Sequence, residues 1–256
     1  MSCRCLAVLG LICLSAVASN VCAADRVARN TGDQVELFAA MKAEQVDVKL
    51  IPKNSEQATV IVKNKTNRPL SIKMPEAFVG LPVLAQMGGM GGMGGMGGGG
   101  MGGGQGMGGG MGGMGMGGMG GGMFNIGPGR VGKIKVVTVC LEHGKKDPNP
   151  RMAYELKPIE SFTDKAPLIE VCKMLGYNQL DQASAQAAAW HLSDGLSWQE
   201  LAGKVKIKHL SGYQQLYFNA ANLNLAVQAV QEANRRARVS EESEPTSPGE
   251  LTISQR

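Results

Sequence analysis

The residues with the greatest chemical reach are sulfur-bearing. Cys3, Cys5, Cys13 and Cys22 fall in an N-terminal stretch with the character of a cleaved leader, which leaves Cys140 and Cys172. Two thiols in an exported chain most often pair, so a Cys140–Cys172 disulfide is expected. Closing about 32 residues in this way would stabilise the fold by about 3–4 kcal/mol in the loop-entropy account. Cys140 and His143, joined by Cys172 and His191, also form a Cys₂His₂ zinc set on paper, although near neighbours on a strand point to different faces. Met87, Met90, Met93 and Met96 have M-x-x-M spacing, and thioether sulfur is a soft ligand suited to Cu(I) or Ag(I). Apart from copper at those methionines, no cofactor is expected. The chain contains no Gly-x-Ser-x-Gly, no His-Glu-x-x-His and no P-loop, so a non-catalytic protein is expected.

The leader spans residues 1–23. Arg4 supplies the charge, residues 5–18 the short apolar run, and Val21-Cys22-Ala23, Cys22-Ala23-Ala24 or Ala16-Val17-Ala18 the small residues of a cleavage site. The mature protein is therefore expected in the periplasm or outside the cell. No later segment is long and apolar enough to span a bilayer. The net charge of +5 is small for 256 residues. Lys204, Lys206, Lys208 and His209 form one basic patch, and Arg235, Arg236 and Arg238 another. Neither has the interleaved aromatics of a nucleic-acid surface, so both read as solvated faces. The expected partner is a protein or an envelope component, met by a monomer.

These residues need a scaffold. Residues 24–45 read as an arm and a short helix. Val46, Val48 and Leu50 then alternate with polar residues, as do Ala58, Val60 and Val62, and again Leu70, Ile72 and Met74. Ile134, Val136, Thr138 and Cys140 share one face of a later strand. Between these strands lies a glycine/methionine tract, 87–123, interrupted by Gln105. Glycine loses the most backbone entropy on ordering, so a disordered loop is predicted there. Lengthening a hairpin loop that far costs only about 2 kcal/mol, which a sheet domain tolerates.

From residue 145 to 238 the pattern is helical. Pro167 lies in a first turn, Asp181 caps an alanine-rich helix, and Ser197 with Glu200 forms a capping box. Ser211 to Gln214 offers a start for a last, longer helix with Leu216, Ala220, Leu223, Val227 and Val230 on one stripe. Residues 239–256 are acidic and contain Ser and Pro, the composition of a disordered tail.

Short alternating strands at regular spacing predict an antiparallel β-sandwich. The order of turn, strand, loop, Pro128-Gly129 and a strand ending at Cys140 resembles immunoglobulin-like domains of exported bacterial proteins, over residues 46–144. The expected class is thus α+β: an immunoglobulin-like sandwich, a disordered Gly/Met loop between strands, and a C-terminal helical segment. A second resemblance is local. Cys140 at a strand end, with Ala185-Gln186-Ala187-Ala188-Ala189-Trp190 downstream, looks like the pattern of bacterial surface thioester domains. In those adhesins a strand cysteine is cross-linked to a helix glutamine, and the bond reacts with host amines. The resemblance implies Cys140 and Gln186 as the pair.

Overall fold

The structure, a computed structural model, describes residues 32–83, 104–113 and 122–243. The leader, the methionines Met87, Met90, Met93 and Met96, and the end of the tail lie outside the described residues. Among the described residues no helix is long and apolar enough to cross a membrane.

The first elements are β1 (Asp33–Glu36), α1 (Leu37–Lys42), β2 (Val46–Pro52), β3 (Gln57–Asn64), β4 (Leu70–Lys73) and β5 (Phe78–Pro82). Next come β6 (Met107–Gly109), β7 (Met123–Ile126), β8 (Val131–Cys140) and β9 (Tyr154–Lys157). Helices α2 (Ala166–Gly176), α3 (Gln182–Asp194) and α4 (Trp198–Ala202) precede the hairpin of β10 (Val205–Lys208) and β11 (Gln214–Leu216), and α5 (Ala220–Ser243) follows. The alternating residues do form strands. They do not form a sandwich.

In place of the expected immunoglobulin-like sandwich, β2-β3-β8-β6-β5-β9 close into an antiparallel barrel. A separate sheet, β1-β4-β7, takes up the remaining early strands. Two strands make the difference. β9 joins β5 to β2, where Leu50 pairs with Tyr154. β6 comes from inside the glycine/methionine tract and bridges β5 to β8. With both present the sheet has no free edge left to fold over as a second layer.

The tract is therefore not simply a disordered loop, because residues 104–113 are built into the domain. Met107 and Met111 are completely buried and pack in the barrel interior with Phe78, Val60, Val136 and Leu156. Gly108 and Gly110, between them, are demanded by what lies outside. A Cβ on Gly108 would sit 2.9 Å from the Cys172 sulfur and 2.9 Å from Leu141. One on Gly110 would strike the Glu76 carbonyl oxygen, the Cys172 carbonyl oxygen at 2.6 Å and the Gly176 Cα at 2.8 Å. Helix α2 thus rests on backbone, an approach that only glycine permits. Composition argued for entropy; it was blind to this fit.

A second apolar core lies between the outer barrel wall and the helices. Val79, Val139 and Leu141 meet Leu168, Val171, Ala185, Ala188 and Ala233 there. The last helix also starts later than expected. Asn219 caps it by accepting from the Asn222 N–H at 2.8 Å, and the residues from Val205 to Leu216 form the β10–β11 hairpin instead. At its far end α5 runs through residues 239–243.

Asn64 ties the barrel to the side sheet. It is fully buried and donates to the carbonyls of Arg68, Ile126 and Gly127, while its Oδ1 accepts from the Thr66 N–H and hydroxyl. Asn64→Ala removes one donor from each of three carbonyls, of which Arg68 keeps the Thr66 hydroxyl and Gly127 the Arg130 N–H, while the buried Ile126 carbonyl loses its Asn64 bond. A loss of about 2–4 kcal/mol is expected by urea denaturation.

Candidate functional site

The site forms where β8 outruns β3. Their pairing ends at Val137 opposite Gln57, and the Thr138 N–H still reaches the Glu56 carbonyl at 2.9 Å. Beyond that point the N–H and C=O of Cys140 on this edge have no strand to bond. Helix α3 supplies the partners. The Gln186 side chain accepts from the Cys140 N–H at 2.8 Å and donates to the Cys140 C=O at 2.8 Å. One turn earlier, Gln182 donates to the Thr138 C=O at 3.1 Å. A glutamine amide carries the same donor and acceptor as a peptide group, so two residues at i and i+4 on a helix can stand in for a strand.

Helix α3 is held in register at both ends. Asp181 accepts from the Ser184 N–H at 3.0 Å, and Gly195 closes the helix in the left-handed region at φ 74°. Lys165 donates to the carbonyls of Leu192 and Ser193 at the C-terminal end. The alanines Ala185, Ala187, Ala188 and Ala189 are all fully buried, so small side chains let the helix lie close to the barrel. Gln186 is only 1 % exposed, which makes its two bonds to Cys140 obligatory rather than optional.

Cys140 is itself 1 % exposed. Its thiol donates to the Ser55 carbonyl across 3.9 Å, a weak contact that Thr138 Oγ1 shares at 3.4 Å. Burial pushes the thiol well above its usual range, and the carboxylates of Asp147 and Glu56 push it the same way. The group is a neutral thiol, so attack by its sulfur requires the thiol proton to leave in the same step. Tyr217 covers this side. Burial, with Cys140 and then Asp147 and Glu56 adding to it, raises the Tyr217 hydroxyl to about 12.

Around the pair stands an aromatic wall. Trp190 meets His143 edge-on at 5.0 Å, Tyr217 at 5.1 Å and Phe218 at 5.9 Å between centroids. Lys204 lies 5.1 Å over the Trp190 ring and donates to His143 Nε2. Burial, followed by that ammonium, holds the His143 imidazole below its usual value. The other rim is tied to the tract. Gln105 donates to Asp147 at 2.6 Å, and its carbonyl accepts from the Tyr154 hydroxyl at 2.8 Å.

No protein-family model, curated protein sequence or solved structure matches the chain.

The structure treats the sequence candidates unequally. Cys140 and Gln186, singled out by the thioester resemblance, are in direct contact. Cys140 and Cys172, expected as a disulfide, are both free and buried. Cys140 pairs with Met107 and so shares its side of the sheet, whereas Cys172 rests against Gly108, the next residue, on the other side. A strand lies between the two thiols. The zinc set is not assembled either. His191 stacks on Trp198 at 4.3 Å with Nδ1 turned 2.8 Å from the Leu196 carbonyl. Among the described residues no group of three or more His, Cys, Asp or Glu is placed to hold a metal. The soft-metal candidates Met87, Met90, Met93 and Met96 lie outside the described residues.

Sequence reasoning missed Gln182, Ser55 and Tyr217. Gln182 was detectable, since a glutamine one turn before Gln186 on an otherwise apolar helix shares its face. Ser55 and Tyr217 had no local signal, because a loop and a distant segment bring them in.

Proposed function

We propose that the protein is exported and acts by attachment rather than turnover, as a non-catalytic interaction protein of the envelope or extracellular space. Its point of attachment is a thioester between Cys140 Sγ and Gln186 Cδ. One observation carries this. The Gln186 side-chain amide is held in the interior by two reciprocal 2.8 Å hydrogen bonds to the Cys140 backbone, which carries the thiol 46 positions away in sequence. The likeness of these residues to the surface thioester pattern gives the contact a chemical meaning that packing alone does not.

The step balances without an oxidant. Cys140 Sγ adds to the Gln186 amide carbon, the C–N bond breaks, and the amide nitrogen leaves as ammonia with the thiol proton. Gln186 Oε1 stays on the Cys140 N–H, which serves the developing oxyanion as a fixed donor. A primary amine on the partner then attacks the thioester carbonyl. The C–S bond breaks, Gln186 becomes a substituted amide, and Cys140 regains its proton. Burial of both residues and the aromatic wall around Trp190 keep bulk water from hydrolysing the bond.

Intact mass of the exported, purified protein tests the proposal. The expected result is a deficit of about 17 Da that methylamine treatment turns into a gain of about 14 Da over the unmodified mass, localised to Gln186. A deficit of about 2 Da, the mark of a disulfide, overturns it, as does the unmodified mass.

A further inference from the structure

The β10–β11 hairpin stands apart from the attachment site in both exposure and chemistry. Val205 pairs with Leu216 and Ile207 with Gln215, and a bulge between Val205 and Ile207 leaves large apolar side chains exposed on the hairpin at Ile207 and Leu216. Lys206 turns back to the body, 5.1 Å over the Tyr217 ring and 2.9 Å from Glu56. Ile207 is 45 % exposed, Leu216 50 %, and at the tip Tyr213 is 66 % exposed and Leu210 fully so. A soluble surface seldom gathers this many large apolar side chains on one projecting element without a use for them.

Charge narrows the choice of partner. From residue 203 to 219 the sequence carries Lys204, Lys206, Lys208 and His209 and no carboxylate. Lys208 flanks the tip and is exposed. An apolar tip bearing a tyrosine, with cations just behind it, is the arrangement that interfacial anchors use. The leucine enters the acyl boundary, the tyrosine sits at headgroup level, and the lysines meet anionic phosphates. A concave protein partner would instead be matched by a broad or recessed patch, and Leu210 projects beyond every neighbour. We propose that the β10–β11 hairpin docks the protein on an anionic lipid bilayer, inserting Leu210 and Tyr213 with Lys208 at the phosphates. The docking does not depend on the Cys140–Gln186 bond, and Cys140→Ala keeps it.

Cosedimentation of the mature chain with vesicles tests this, using phosphatidylcholine alone and an equal mixture with phosphatidylglycerol. Anionic vesicles are expected to bind at least about tenfold more tightly than neutral ones. A Leu210→Ser, Tyr213→Ser double variant is expected to lose about tenfold or more of that affinity, and Lys208→Glu about fivefold. All three positions are on the surface, and an unchanged circular dichroism spectrum verifies the fold. Val239→Ser, at an exposed apolar position on α5, should bind like the parent. The proposal is overturned by absent binding to the anionic vesicles, by equal binding to neutral ones, or by a tip variant that binds as well as the parent.

Discussion

Gly110→Ala is expected to destabilise the protein by about 3 kcal/mol or more, enough to unfold a marginal domain. A single methyl group is a small change, and its effect comes from where it would land. The atoms it meets are the carbonyl oxygens of Glu76 and Cys172 and the Cα of Gly176, all backbone. Side chains can rotate away from an intruder, whereas these atoms belong to the end of α2 and the segment before β5. Moving them separates α2 from the barrel and opens the core around Val171 and Leu141. Gly127→Ala is the matched control, since its nearest neighbour is the Arg130 Cγ at 3.4 Å. Urea midpoints compare the two. Equal midpoints would mean that β6 is not seated between β5 and β8.

With Gln186 in its amide form, before any thioester closes, Gln186→Ala is expected to lose about 2–5 kcal/mol, because it strips a buried N–H and a buried C=O of Cys140 of their partners in one change. Gln186→Glu is no rescue. It keeps an acceptor for the N–H but turns a carboxylate oxygen toward the Cys140 carbonyl, in a place with almost no solvent. Gln182→Ala should lose less, about 1 kcal/mol, since it removes one bond of 3.1 Å at a partly buried position. Hydrogen exchange at the Cys140 amide separates the pair of variants from simple helix loosening. That amide should exchange faster in Gln186→Ala than in Gln182→Ala. Equal rates would show that the strut through Gln186 does not govern this edge.

Local patterns survived into the fold wherever a single element decided them. The alternation in β2, β3 and β8, Pro167 in the first turn of α2, the Asp181 cap and the Ser197–Glu200 capping box are all present. What failed required knowledge of a neighbour. Met107-Gly108-Gly109 has no strand propensity of its own, and its place is set by Phe78 and Cys140 on either side and α2 above. Gln182 and Gln186, one turn apart on α3, form a polar face that points inward, because the end of β3 leaves peptide groups for amides to satisfy. The hairpin before α5 was missed for a similar reason: the stripe that begins at Leu216 continues into a true helix and hides the boundary at Asn219. At the candidate site, the resemblance located Cys140 and Gln186, while their enclosure by Tyr217 and Ser55 is a property of the tertiary structure alone.

Repetitive coding sequence changes length readily when DNA is copied, and β6 lies within such a repeat. Because successive strand residues face opposite ways, gaining or losing one codon between Gln105 and Gly113 would exchange the inner and outer sets. Met107 or Met111 would then be driven under α2 while glycine was left in the barrel interior. Gln105 is the fixed point for that count, held by the Tyr154 hydroxyl and Asp147. Slippage inside this window should be purged by selection, even though the surrounding repeat looks uniform. In a multiple alignment, the spacing from Gln105 to Met111 should show no gaps.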